Sequence, residues 1–156
     1  ALLGCDESDS AEGGDSEGEA TESGETSDAT EIDPDEIAAA ALDYQSLQKV
    51  NGEPFASQHG LADAVNVWVA AEHVESYENL SGFVPGTLLV KEQLDADGQF
   101  LNVTVMYKGP EGYAPDAGDW WFGLVAPDGS VTVGGQPQAC LDCHSGVADT
   151  DYVFGL

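Results

Sequence analysis

Five residues near the C-terminus, Cys140-Leu141-Asp142-Cys143-His144, constrain this chain more than any other stretch. Two cysteines separated by two residues can add to the two vinyl groups of a haem, and the adjacent histidine can ligate the iron. The spacing suits this chemistry because the two intervening residues form one turn that brings both sulfurs to the same porphyrin. We therefore predict a covalently attached haem c, with Cys140 and Cys143 as tethers and His144 as the proximal iron ligand.

Three other interpretations of the same motif are a redox dithiol, half of a zinc site and a chance match in a loop. A zinc site would need a second pair of ligands, and the remaining candidates, Cys5, His59 and His73, do not form one. A thioredoxin-like dithiol would open a helix early in a βαβ unit, whereas this motif lies twelve residues from the end. Haem attachment fits the position and the spacing better than any of these alternatives.

Acidic residues dominate the composition, with 30 Asp and Glu against three Lys and no Arg in 156 residues. Fourteen of the acids fall within residues 6–36, and residues 37–156 hold the other 16 together with all three lysines, which gives that part a formal charge of −13. Such a surface repels phosphate backbones, so nucleic acid is excluded as a partner. The same surface would attract a cationic redox partner protein.

The N-terminal residues Ala1-Leu2-Leu3-Gly4-Cys5 resemble the lipobox that ends the signal peptide of a bacterial lipoprotein. On this interpretation residues 1–4 are the end of the signal, and Cys5 carries the lipid that binds the membrane. Residues 5–32 then form a disordered acidic tether, since Asp, Glu, Ser, Gly and Thr cannot bury enough apolar surface to fold. The alternative is an ordinary signal peptide with an incidental cysteine. We expect a membrane-anchored protein outside the cytoplasm, in the periplasm or on the cell surface of a bacterium.

Residues 33–156 have the pattern of a single α+β domain. A helix should begin at Asp33-Pro34, because Asp33 can cap it and Pro34 suits its first position, and should run to about Gln48. The pattern predicts an irregular stretch at 55–60, a short helix at 73–80, and strands at 64–69, 87–92, 100–107, 120–125 and 131–133. We expect these strands to form an antiparallel sheet that packs, with a few helices, around the haem.

The late position of the haem motif on a β-rich chain excludes two common architectures. Small helical cytochromes place the motif early and supply a methionine ligand downstream, but residues 145–156 contain no Met. A four-helix cytochrome c′ needs four long amphipathic helices, and residues 64–133 are strand-like instead.

The ordered part of the chain resembles the cytochrome P-460 family and its relative cytochrome c′-beta over about residues 40–156. Besides the haem motif, the resemblance rests on four stretches, Gly86-Thr87-Leu88-Leu89-Val90-Lys91-Glu92, Met106-Tyr107-Lys108, Gly118-Asp119-Trp120-Trp121 and Asp151-Tyr152-Val153-Phe154. It implies an antiparallel sheet against the haem, often in a homodimer, with His144 proximal. It also implies a five-coordinate iron whose distal side is open to small nitrogen ligands such as nitric oxide or hydroxylamine.

The resemblance gives Lys91 and Thr104 particular importance. In cytochrome P-460 proper the lysine at the position of Lys91 is bonded to the porphyrin edge, and the modified haem oxidises hydroxylamine. The alternative is an unmodified Lys91 that reaches solvent or pairs with a carboxylate. The oxidising members carry a carboxylate over the iron at a position that falls near Thr104, whose hydroxyl takes up no proton at neutral pH. Oxidation of hydroxylamine or nitric oxide therefore competes with a non-enzymatic role, the binding of nitric oxide as in cytochrome c′-beta.

Three further residues have more than one interpretation. Met106, the only methionine, is either a wall of the haem pocket or a sixth ligand, and the second role would make a low-spin electron-transfer cytochrome. His59 and His73 are distal ligands, proton relays or ordinary hydrogen-bonded histidines.

Overall fold

The computed structural model describes residues 31–60 and 62–156. The predictions for the signal remnant, for lipidated Cys5 and for the acidic tether up to residue 30 lie outside these residues. Ile32, at the end of the predicted tether, packs partly buried against a hydrophobic core, so packing begins just before the predicted domain boundary. No helix within the two described ranges is long and apolar enough to cross a membrane.

The described residues form an antiparallel sheet of seven strands with three α-helices, and this confirms the predicted α+β class. The strand order is β1-β3-β4-β5-β6-β7, and β2 pairs with β3 beside this path. In chain order the elements are α1 (Pro34–Leu42), β1 (Gln48–Lys49), β2 (Phe55–Ala56), β3 (Ala64–Val69), α2 (Val74–Asn79), β4 (Leu88–Leu94), β5 (Phe100–Lys108), β6 (Trp120–Val125), β7 (Val131–Gly135) and α3 (Gln138–His144).

Helix α1 begins as predicted but ends early. The Asp33 carboxylate accepts hydrogen bonds from the N–H groups of Asp35 and Glu36, at 2.9 and 3.4 Å, and Pro34 opens the helix. The prediction that the helix reaches Gln48 is wrong, because a 3₁₀ turn at Tyr44–Ser46 redirects the chain and Gln48–Lys49 then pairs with β3. Gln48 and Lys49 therefore lie opposite Val69 and Trp68 in the sheet instead of extending the helix.

The segment predicted to be irregular also contributes to the sheet. Phe55 and Ala56 pair with Val65 and Ala64, so the prediction of an unpaired stretch is wrong at its first two residues. The segment that follows carries His59 and returns directly to β3, where the Ser57 N–H donates to the carbonyl oxygen of Asp63 at 3.1 Å. Pairing of β2 with β3 therefore holds His59 beside the sheet.

The two faces of the sheet have different partners. On one face, valines of β4, β5 and β6 pack against Ile37, Ala38 and Ala41 of α1. The other face packs against α3 and the C-terminal residues through a second core that contains Met106 and Phe122. Thr104 and Met106 share this second face because side chains alternate along a strand, as the sequence predicted.

Cross-strand pairing on this second face makes three successive rows of side chains, two residues apart along each strand. We call them the methionine row, the lysine row and the glutamine row. The methionine row consists of Leu89, Met106 and Phe122. The lysine row consists of Lys91, Thr104 and Leu124. The glutamine row consists of Gln93 and Asn102. All eight side chains line the same cavity.

Candidate haem site

Helix α3 brings the three residues of the haem motif onto one side. Cys140, Cys143 and His144 are at positions i, i+3 and i+4, which lie on one face of a helix. All three line a cavity of about 650 Å³ between the sheet and the C-terminal residues. His144 is buried, Cys140 is half-buried and Cys143 is exposed, and both cysteines are free thiols. A prosthetic group in this cavity could therefore reach both sulfurs and the imidazole.

The His144 imidazole is fixed by one strong hydrogen bond. Its Nδ1 lies 2.6 Å from the carbonyl oxygen of Tyr152, and because a carbonyl can only accept, Nδ1 carries the proton. The Nε2 atom is left with a free lone pair, which is the form that binds a metal. The ring also contacts Phe122 and Phe154, with ring centres 5.0 and 5.1 Å away. Burial lowers the pKa of His144, and the positive charge of Lys91 lowers it further, so the neutral, ligating form is favoured.

Three of the stretches on which the family resemblance rests meet behind His144, around Asp151. The Lys108 ammonium donates to the Asp151 carboxylate at 2.6 Å, and the Trp120 indole N–H donates to the Asp151 carbonyl oxygen at 2.8 Å. Asp151 and Tyr152 both have positive φ, 53° and 63°, which is uncommon for residues other than glycine. The ion pair and the indole bond therefore hold a backbone conformation that aims the Tyr152 carbonyl at His144.

Gly118 allows this approach. A Cβ atom at residue 118 would lie 2.8 Å from both the Asp151 carboxylate and the Tyr152 ring. The sequence showed that these stretches occur together but gave no role to Lys108, Trp120 or Asp151. The one signal for these three residues is that each lies in a stretch that resembles the family, and their contacts join parts of the chain that no local pattern links.

Lys91 and Thr104 stand directly opposite each other in the lysine row. Burial lowers the pKa of Lys91. Within the described ranges the one salt bridge joins Lys108 to Asp151, so no carboxylate neutralises Lys91 there. Its neighbour Glu92 points to the opposite face of the sheet, where it accepts hydrogen bonds from Tyr44, Asn66 and Trp68.

The glutamine row holds a network that includes His59. Gln93 is fully buried, and its Nε2 atom lies 2.9 Å from Thr104 Oγ1 and 3.4 Å from His59 Nδ1. Ser57 Oγ lies 2.8 Å from Gln93 Oε1. The His59 ring centre is 6.4 Å from that of His144, and the two ring planes differ by 16°. Burial, followed by the charges of Lys91 and His144, lowers the pKa of His59 to about 4.

The remaining predicted residues are separated from this network. Met106 is buried in the methionine row beside Phe122, which contacts His144. His73 is not among the residues that line the cavity. The sequence left His59 and His73 equivalent, and only the fold distinguishes them.

The residues present fit a haem. Two thiols and a neutral imidazole face one mainly apolar cavity, and the buried Asn102 Oδ1 atom in its wall has no hydrogen-bond partner in the described part of the chain. Across residues 31–60 and 62–156 no group of three or more His, Cys, Asp and Glu side chains could hold a bare metal ion.

A family model described as Cytochrome P460 matches residues 41–155. The chain belongs to the cytochrome P460 family. No curated protein matches the chain. Membership confirms the resemblance inferred from the motifs and makes this protein a haem-containing cytochrome of the c type. The antiparallel sheet and its few helices agree with that family's fold.

Proposed function

We propose that this cytochrome P460 family member binds nitric oxide at a haem c that is held by Cys140, Cys143 and His144. Two thioether bonds from the thiols and one bond from His144 Nε2 would hold the group in the cavity. When bound, the haem supplies an iron that takes up a diatomic ligand and can change charge by one electron. The Tyr152 carbonyl orients the His144 imidazole, and the apolar walls limit the access of water.

One observation favours nitric oxide binding over hydroxylamine oxidation. None of the described residues that line the cavity is Asp or Glu. Oxidation of hydroxylamine releases protons, and the family resemblance implies that the oxidising relatives carry a carboxylate over the iron that can take them up. Thr104, near the position where the oxidising relatives carry a carboxylate, cannot fill that role, and the Glu92 carboxylate faces the other side of the sheet. Nitric oxide has no proton to lose, so its binding needs no base.

Oxidation of hydroxylamine is the second candidate, and Lys91 favours it. Burial lowers the pKa of the Lys91 amine, which raises the share of its nucleophilic neutral form. A bond from this nitrogen to a porphyrin carbon would replace one N–H and one C–H bond, and the two electrons would pass to an external oxidant such as a peroxide. The unpartnered Asn102 oxygen could accept a hydrogen bond from hydroxylamine.

Digestion of the purified holoprotein with trypsin separates the two candidates. Trypsin cleaves after Lys49, Lys91 and Lys108, so an unmodified Lys91 gives the haem on residues 109–156 alone. A bonded Lys91 blocks cleavage at that site and leaves residues 50–108 joined to 109–156 through the haem. The second result would favour the oxidase.

Anaerobic titration of the reduced holoprotein with nitric oxide tests binding directly. We expect a spectral change that saturates at one nitric oxide per haem. Turnover of hydroxylamine with a one-electron acceptor, together with a spectrum that nitric oxide leaves unchanged, would refute the proposal. A Thr104→Glu variant should gain hydroxylamine turnover if the missing base is the reason for its absence, whereas Thr104→Gln, of similar size, should not.

The cellular setting proposed from the sequence completes this function. A lipid on Cys5 would hold the protein outside the cytoplasm, a cationic redox partner would dock on the acidic surface, and two copies would form a homodimer. Replacement of Cys5 by Ser should move the protein from the membrane fraction to the soluble fraction of the producing cells.

A further inference from the structure

The distance between His59 and His144 matches a pair of imidazoles on one metal ion. An imidazole nitrogen binds a transition metal at about 2 Å and the ring centre lies roughly 1 Å further out, so two axial imidazoles have centres about 6 Å apart. The observed separation is 6.4 Å, with ring planes only 16° apart. Both side chains line the same cavity as the two cysteine thiols.

Each imidazole is also held through its Nδ1 atom, which leaves Nε2 free. His144 donates from Nδ1 to the Tyr152 carbonyl oxygen, and His59 Nδ1 lies 3.4 Å from the Gln93 amide. Rotation of that amide by 180° lets Gln93 Oε1 accept from His59 Nδ1–H and from the Thr104 hydroxyl, while Nε2 donates to Ser57 Oγ. Every group in the network keeps a partner, and His59 Nε2 then has a free lone pair.

The three rows of the sheet place the two histidines on opposite sides of Lys91. His144 contacts Phe122 of the methionine row, and His59 contacts Gln93 of the glutamine row. Lys91 lies in the row between them, paired with Thr104. Met106 lies in the methionine row, with His144, so its sulfur is on the wrong side to oppose His144.

We propose that His59 is an exchangeable sixth ligand of the haem iron, opposite His144, and that a small ligand must displace it to bind. This replaces the expectation of a five-coordinate resting iron with a six-coordinate one. It rests on the proposed function only in that a haem occupies the cavity. Exchange breaks the bond from His59 Nε2 to iron and forms one to the incoming ligand, with no change in the number of electrons.

The turn that carries His59 suits reversible displacement. Its backbone is closed by hydrogen bonds of its own, from the Ala62 N–H to the His59 carbonyl at 3.3 Å and from the His59 N–H to Ser57 Oγ at 3.0 Å. Among the described residues, the ring itself is hydrogen-bonded to the sheet only through the 3.4 Å contact with Gln93. The side chain can therefore rotate away from the iron while the turn and its pairing with β3 stay in place.

Absorption and electron paramagnetic resonance spectra of the oxidised holoprotein test this assignment. We expect a low-spin spectrum of the bis-histidine type for the unaltered protein and for His73→Ala, which removes a histidine outside the cavity. His59→Ala should give a high-spin, five-coordinate spectrum. If His59 occupies the iron nine-tenths of the time in the reduced protein, the reduced variant should also bind carbon monoxide with about tenfold higher affinity than the reduced unaltered protein.

A high-spin resting protein would overturn the proposal, and so would a low-spin spectrum that persists in His59→Ala. The spectrum of the unaltered protein needs no variant, because its type separates bis-histidine from histidine–methionine ligation even if His59→Ala does not fold. The two proposals fail separately. A high-spin protein that binds nitric oxide refutes only the role of His59, whereas a bis-histidine protein that binds carbon monoxide but ignores nitric oxide refutes only the proposed function.

Discussion

Replacement of Lys108 by methionine should destabilise the C-terminal segment that orients His144. Lys108 Nζ lies 2.6 Å from the Asp151 carboxylate and 4.8 Å from the centre of the Trp120 ring, and its side chain is only 12% exposed. Methionine retains most of the length and apolar surface of lysine, so the change removes mainly the charge. The Asp151 carboxylate, 27% exposed, would lose its cationic partner and keep only a long contact of 3.3 Å to the Trp120 indole.

The expected loss of stability follows from this geometry. A hydrogen bond between charged groups contributes about 1.5–3 kcal/mol, and a fully exposed ion pair contributes less than about 1 kcal/mol. Because the Lys108–Asp151 pair is partly buried, we expect the free energy of unfolding to fall by about 2 kcal/mol. Since Asp151 and Tyr152 hold left-handed backbone conformations, we also expect the Tyr152 carbonyl to move relative to His144. In a His59→Ala background, where the iron would be five-coordinate, the iron–histidine vibration of the reduced haem should then shift.

Urea unfolding of the holoprotein measures the first effect, and resonance Raman spectroscopy measures the second. Lys49→Met is the matched control, because Lys49 is exposed and its ammonium donates only to the Gly52 carbonyl oxygen. Its free energy of unfolding should change by less than about 0.5 kcal/mol. The reasoning is refuted if Lys108→Met and Lys49→Met lose equal stability and the iron–histidine vibration is the same in both.

Two further predictions concern Gly118 and Tyr77. Gly118→Ala should lower the free energy of unfolding by about 2–4 kcal/mol, because residue 118 has φ of 61° and the added Cβ would lie 2.8 Å from Asp151 and Tyr152. Thermal unfolding measures this, with Gly146→Ala as the control, because a Cβ at residue 146 meets open space. Equal melting temperatures for the two variants would contradict the prediction. Burial raises the pKa of Tyr77 to about 12 from its usual value near 10, so the folded state holds a proton that the unfolded state loses, and stability should decline as pH rises from 10 to 12. In Tyr77→Phe, the fall in the free energy of unfolding between pH 10 and pH 12, measured by urea unfolding at each pH, should be smaller by about 2 kcal/mol. An unchanged fall would show that another group is responsible.

Local sequence patterns predicted the strands that carry the site. The segments 64–69 and 120–125 match β3 and β6 residue for residue, because alternating β-branched and aromatic residues identify strands that are buried on at least one face. The pairing of β4 with β5 follows from the turn between them. The shared face of Thr104 and Met106 follows from the alternation of side chains along β5. Five consecutive residues, 140–144, were enough to predict haem attachment.

Local patterns could not predict contacts between residues that are far apart in the sequence. Two-residue strands such as β1 and β2 are too short to show a period, and their pairing depends on β3. The support of Asp151 by Lys108 and Trp120 joins residues 31 or more positions apart. The approach of His59 to His144 depends on the sheet, on α3 and on the turn after β2 together, so the sequence alone could not separate His59 from His73.

Peptide mass spectrometry of the trypsin-digested holoprotein tests the central claim, that Cys140 and Cys143 attach a haem c beside His144. The account predicts that the peptide 109–156 carries the full mass of one haem and that neither of its thiols reacts with an alkylating reagent. A peptide 109–156 without haem, with Cys140 and Cys143 both alkylated, would contradict it.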